Sequence, residues 1–215
     1  MLTLYYHPLS SFCWKALIAL YEHEIAFTPE LIDLGDPASR GVLEQVWPIA
    51  KFPVLRDGTT GLTIPESSVI IEYLDTIATA HAPLVDKETD AALQTRLWDR
   101  FYDQYIQVPM QKIVADRIRA EDARDAQGVA EARALLAKAF DLANSAMTHR
   151  RWATGDRFGL ADCAAAPALY YANRVQPFGS SHPSLAAYLD RLSVRPSFAR
   201  VLEEAAPYLH MFPAA

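Results

Sequence analysis

Ser10 and Ser11 stand where an apolar strand gives way to a helix, a place from which a hydroxyl can hold an anion. Leu4, Tyr5 and Tyr6 form an aromatic run suited to a short buried strand, and His7-Pro8 ends it because proline cannot extend a ladder. From Cys13 the period changes: Cys13, Leu17, Leu20 and Tyr21 fall at i, i+4, i+7 and i+8, one face of a helix. Either hydroxyl can serve as a plain cap for the orphan amides there. The positive end of the helix dipole also favours an anion at that point.

A second pair of candidates opens a later helix. Glu66 and Ser67 precede an apolar pattern in which Ile70, Tyr73, Leu74 and Ile77 hold i, i+3, i+4, i+7 spacing. The Ser67 hydroxyl and the free first-turn amides suit a carboxylate, and Glu66 can accept an ammonium. Together they suit a zwitterion, or else form an N-cap with an acidic neighbour. Lys51 is either a receptor for a carboxylate or a solvated surface lysine. Cys13 and Cys163, each inside an apolar helical pattern, read as reduced core residues; their spacing matches no disulfide framework or metal site.

The elements that must position these groups follow in order. After the first helix, Glu24 to Ile32 reads as a second strand, and Asp33 to Gly41 is turn chemistry leading into a short helical stretch. Val54-Leu55 is a strand, Asp57-Gly58 a hairpin turn, and Leu62 to Ile64 the return strand. With the helix after Pro65 this gives β-α-β-α-β-β-α, an α/β domain over residues 1–80. His81 to Lys87 breaks the pattern, so 81–88 is taken as a linker. Residues 89–215 form an all-helical domain: Trp98, Phe101, Tyr102, Tyr105 and Ile106 share a helical face that Pro109 should end or kink, and Ala132 to Met147 carries an amphipathic stripe. Three further helices are expected over Leu160 to Arg174, Ser184 to Leu192 and Ser197 to Ala206.

The 215 residues are 51% hydrophobic and 21% charged with a net charge of −6, ordinary for a globular protein. No lysine and arginine block is present, which argues against nucleic acid as a partner. No apolar run approaches the roughly 20 residues of a membrane span, and no signal peptide opens the chain, so a cytoplasmic location is expected.

Leu9-Ser-Ser-Phe-Cys13 before a helical Ala-Leu-Ile-Ala-Leu, Phe52-Pro53-Val54 before the hairpin, and Pro65-Glu-Ser-Ser68 before an apolar helix resemble, in that order, soluble glutathione S-transferases of the serine type, a theta-, zeta- or beta-like bacterial member. The resemblance implies a thioredoxin-like domain, with Pro53 in cis, followed by the helical domain. It implies that Ser10, with help from Ser11, holds glutathione as a thiolate. A Ser-x-x-Cys reading favours Ser10, and alignment on Pro8 favours Ser11. Glutathione would be bound by Glu66 and Ser67 at its γ-glutamyl end, by the Val54 backbone beside Pro53 at its cysteinyl part, and by Lys51 at its glycyl carboxylate. Tyr102 and Tyr105, or the tail from Tyr208 to Phe212, would line the pocket of a small hydrophobic electrophile. Gly159 to Asp162 is similar to the family's capping box, with glycine in place of serine or threonine at a cost of only a few tenths of a kcal/mol.

The implied activity is transfer of an alkyl or aryl group to the glutathione sulfur, a detoxification chemistry, in a homodimer without metal. Asp99 or Asp103 would reach the partner's site or lie on a solvated helix face. Alternative readings are a glutathione-dependent isomerase of the maleylacetoacetate type, a dehalogenase, and a non-catalytic glutathione-binding or stress-response module.

Overall fold

The computed structural model describes residues 1–213; the last two residues of the expected helical domain, 214 and 215, lie outside it. A four-stranded mixed sheet opens the chain. β1 (Leu2–Tyr6) leads to α1 (Ser11–Glu22), β2 (Phe27–Leu31), α2 (Pro37–Val46), β3 (Val54–Asp57), β4 (Thr63–Pro65) and α3 (Ser67–Ile77). The strand order is β2-β1-β3-β4, with β1 parallel to β2 and antiparallel to β3, and β3 antiparallel to β4. The parallel β1-α1-β2 unit arises because the long apolar α1 covers one face of the sheet: every residue from Cys13 to Leu20 is buried. α2 is capped by Asp36, whose carboxylate accepts from the Ala38 and Ser39 amides at 3.2 Å, and it buries only Leu43, against Ile32 and Val54. The Phe52–Pro53 peptide is cis.

The second strand is shorter than expected because His23 ends α1 and Glu24, at φ +52°, turns the chain back, with the Ile25 N–H donating to Leu20 O. The linker is no loose tether. Leu84 and Val85 are buried, the Asp75 carboxylate accepts from both of their amides at 2.8 Å, and Arg157 donates to Pro83 O at 3.0 Å.

The second half is helical: α4 (Thr89–Phe101), a π-helical segment (Tyr102–Gln107), α5 (Val108–Arg117), a 3-10 turn (Glu121–Ala123), α6 (Ala126–Met147), α7 (Leu160–Val175), α8 (Pro183–Ser193), α9 (Pro196–Ala205) and a closing 3-10 stretch (Ala206–Met211). Pro109 does not end the helix begun at α4. The backbone stays helical through Gln107 and Val108, and the missing amide is accommodated directly after the π segment, where the Val108 N–H reaches back to Asp103 O. α7 is the hub, buried over most of its length by small residues that let α1 and α4 approach closely. Its N-terminus is tied by Asp162, fully buried, whose Oδ2 accepts from the Gly159 N–H at 2.9 Å and whose Oδ1 accepts from the Ala153 N–H at 2.8 Å and Tyr188 OH at 2.5 Å. Glycine at 159 has a reason beyond tolerance: a Cβ there would lie 2.6 Å from the Leu84 carbonyl oxygen. Among the described residues no helix is long and apolar enough to cross a membrane.

Candidate functional site

The loop between β1 and α1 is held at four points before it delivers Ser10. Trp14, fully buried in α1, donates its indole N–H to Pro8 O, and Tyr171 of α7 donates to Leu9 O at 2.9 Å. His7 Nδ1 accepts from the Leu9 N–H at 3.1 Å, and the Ser10 N–H donates to His7 O at 3.0 Å. Ser10 is the N-cap of α1, with extended backbone, and its Oγ accepts from the Cys13 N–H at 3.3 Å. Ser11 is the first helical residue and is buried.

Both serines line a cavity of about 590 Å³ between the sheet domain and the helices. His7, Phe52, Gln107, Met110, Tyr171 and Phe212 contribute to its wall. Burial lowers the His7 pKa from its ordinary value, so the ring is neutral at pH 7 and carries its proton on Nε2. Cys13, one turn into α1, is fully buried and its thiol is pushed up to about 12, which removes it as a competing thiolate.

A second cavity, of about 280 Å³, adjoins through Phe52, which lines both. It brings together Lys51, Pro53, Glu66 and Ser67 with Phe12 and Trp47. Glu66 sits at φ +69°, an uncommon conformation for a residue with a side chain, and makes no capping bond, so its carboxylate is left exposed beside the α3 N-terminus. Ser67 is buried at the first position of that helix. Oppositely biased groups, a carboxylate and a helix N-terminus, therefore stand side by side.

Three expected contacts are corrected. Val54 lines neither cavity: it is fully buried in β3 with Tyr5 of β1 and Pro65 of β4 as its partners on the two sides, so it offers no open edge. Phe52, outside the ladder, is the residue that lines both cavities. Tyr102 is fully buried in the core among Trp98 and Phe101. Tyr105 is exposed, but it lines a separate apolar groove between α4 and α6 with Leu97 and Leu142. Tyr105 shares that groove with Trp98 and Phe101, while Tyr102 turns into the core, so the aromatic face packs within the helical domain and away from the serine cavity. From the chain's tail, Met211, Phe212 and Pro213 do reach the serine cavity.

Lys15, absent from the expectations, anchors a buried charge cluster between α1, α3 and the helical domain. Lys15 of α1 is fully buried; its Nζ donates to Ser68 Oγ at 2.7 Å and Asp103 Oδ2 at 2.8 Å, and pairs with Asp99. Ser68 donates to Asp99 Oδ2 at 2.9 Å, and Arg100 closes the group on Asp99 at 2.8 Å and Asp103 at 2.5 Å. Burial pushes the Asp103 carboxyl above its usual value, against the pull of Lys15. Asp99 and Asp103 thus face their own chain. The sequence signal was available: Lys15 falls inside the buried face of an otherwise apolar helix.

The model for the glutathione S-transferase N-terminal domain matches residues 4–82, and that for the C-terminal domain matches residues 100–196. Glutathione S-transferase GstB of Escherichia coli strain K12 is 25% identical over 205 residues, 94% of this chain and 98% of its own. A glutathione S-transferase structure from Methylobacillus flagellatus with glutathione bound superposes with a TM-score of 0.86 at 24% identity, covering 94% of this chain and 98% of that one. One from Methylobacterium radiotolerans in complex with glutathione sulfonate superposes at 0.82 with 28% identity, covering 93% of each.

Proposed function

The chain belongs to the glutathione S-transferase family, and on that premise we propose that it is a glutathione transferase whose Ser10 activates the thiol. The observation that carries the reading is the junction of the two cavities at Phe52, one holding a carboxylate beside a helix N-terminus, the other a serine hydroxyl at the head of α1. Glutathione lies across that junction. Its γ-glutamyl ammonium meets Glu66, its γ-glutamyl carboxylate meets Ser67 and the free amides of α3, and its glycyl carboxylate faces Lys51. The cysteinyl part runs along the Phe52 main chain and brings the sulfur to Ser10.

Ser10 donates to the thiolate while its own lone pair stays engaged with the Cys13 amide. A hydrogen bond to a charged group contributes about 1.5–3 kcal/mol and a helix N-terminus about 0.3–1. At about 1.4 kcal/mol per pKa unit, these move a thiol from about 8.5 to about 6–7. Because His7 is neutral, the hydroxyl and the helix end do this without an imidazolium. Sulfur then attacks a small electrophile held in the larger cavity, and two copies of the chain form the working dimer through the exposed apolar residues Leu97, Tyr105 and Leu142.

An ultraviolet difference titration of the glutathione complex tests the central step. Wild type should show a thiolate midpoint well below that of free glutathione, Ser10→Ala should return it upward, and Ser11→Ala should leave it low. Saturable binding with an unshifted wild-type midpoint would mean that the protein holds glutathione without activating it.

A further inference from the structure

The cavity beside Ser10 contains a polar side chain that nothing among the described residues uses. Gln107 lines that cavity and is only 2% exposed, yet neither its Oε1 nor its Nε2 has a hydrogen-bond partner among the described residues. It closes the π segment, in which the Val108 N–H reaches back five residues to Asp103 O. Such segments occur mostly as single turns at functional sites. The wall beside it is apolar, with Met110, Val114, Ile118 and Phe212. An unsatisfied amide in that setting is destabilising, and a methionine would fill similar volume without the penalty. A residue that weakens the free protein in this way is explained by a ligand that completes it.

We propose that Gln107 is the polar contact for the second substrate, its Nε2–H donating to an oxygen that gains charge as the glutathione sulfur adds. The substrate class is then an electrophile whose carbonyl is conjugated to the attacked carbon. This rests on the transferase reading above. In the step, a sulfur lone pair forms the S–C bond at the β-carbon, and the C=C π pair moves to leave an enolate oxygen held by Gln107. The α-carbon then takes a proton from water, balancing the proton released when the thiol ionised. No leaving group departs and nothing is oxidised or reduced. An alkyl halide carries its charge away on the halide and makes no such demand on the amide.

The test compares kcat/KM for trans-4-phenyl-3-buten-2-one with that for benzyl chloride at fixed glutathione, in wild type and Gln107→Met. The enone-to-halide ratio should fall by about 10- to 100-fold in the variant. Melting of the ligand-free variant should move upward by a few degrees, because the unsatisfied amide is gone. A ratio unchanged within about twofold overturns the proposal, and so does a lower melting temperature, which would show that the amide has a structural partner. Wild type that turns over benzyl chloride and not the enone also overturns it while leaving the transferase reading intact; wild type that turns over neither defeats both.

Discussion

Replacing Gly159 by serine would restore the residue type that ordinarily caps a helix, and the structure says the protein would be weakened. Serine gains only a few tenths of a kcal/mol over glycine as a cap. The backbone at φ −156° and ψ −167° is extended and open to any residue, so conformation is not the obstacle. Space is. The new Cβ would lie 2.6 Å from the Leu84 oxygen, and ordinary contact begins near 3.4 Å, so the linker must retreat by the difference, 0.8 Å. That oxygen also accepts from the Leu160 N–H at 2.9 Å, a bond the retreat would carry out of range. A stranded buried amide costs about 1–3 kcal/mol and the overpacking a similar amount. Net of the cap, Gly159→Ser should lose about 2–6 kcal/mol, a fall of roughly 4–24 °C in Tm for a chain of this size. Urea unfolding at 25 °C and thermal melts would measure it, with Gly159→Ala as the control that adds the Cβ without the cap. A serine variant as stable as wild type would refute the reasoning, since the cap would then outweigh the close approach.

Lys15→Met leaves two buried carboxylates with the half-exposed Arg100 as their remaining cation, and should lose about 3–5 kcal/mol in chemical denaturation; a loss under about 1 kcal/mol would mean that Asp99 and Asp103 do not need the lysine. Burial holds Asp162 at about 6, above the usual 3.8, so the native chain takes up a proton between those values that the unfolded chain does not. Its contribution to stability is therefore fully present below 3.8 and is lost as pH rises through 6. Wild type should gain up to about 3 kcal/mol over Asp162→Asn between pH 7 and pH 4, since about 1.4 kcal/mol accompanies each pH unit between 3.8 and about 6. Parallel stability profiles of the two proteins across that range would contradict it.

What the sequence made legible was whatever is carried by local chemistry. The strand, loop and helix around Ser10, the turn at Asp57-Gly58 and the apolar face of α3 each announce themselves within a dozen residues. α5 and the first turns of α6 did not, because Gln111, Lys112, Asp116 and Arg117 interrupt the apolar spacing that Met110 and Ile113 begin. The second-substrate wall failed for a different reason. Trp98, Phe101, Tyr102 and Tyr105 keep helical spacing, but that face packs into the core at Tyr102 and onto a separate groove at Tyr105, and spacing alone does not say which neighbour a face meets. Gln107 was not among the expected residues. Its signal was faint but present: Asp103, Gln107 and Met110 are spaced 4 and 3 apart, which puts two polar residues on a buried stripe.

The charge cluster around Lys15 is a weak way to join two domains and a strong way to fix their register. Removing Lys15, Asp99 and Asp103 from water offsets most of what their attraction gains, and apolar side chains of the same volume often hold as well or better. Apolar contacts, however, tolerate sliding. Lys15 must instead meet Ser68 at 2.7 Å and Asp103 at 2.8 Å at once. Lys15 lies five residues beyond Ser10 on α1, Ser68 adjoins Ser67 on α3, and Asp99 and Asp103 belong to the helical domain. One buried ammonium therefore links the helix that carries the hydroxyl, the helix that carries the zwitterion receptor and the domain that closes the larger cavity. Glutathione is a single molecule that would have to span the first two and present its sulfur to the third. A displacement of about 1 Å can cost about 100-fold in rate, whereas the same displacement in a purely apolar interface would cost little stability. The cluster is thus better accounted for by the spacing of the site than by the stability of the fold.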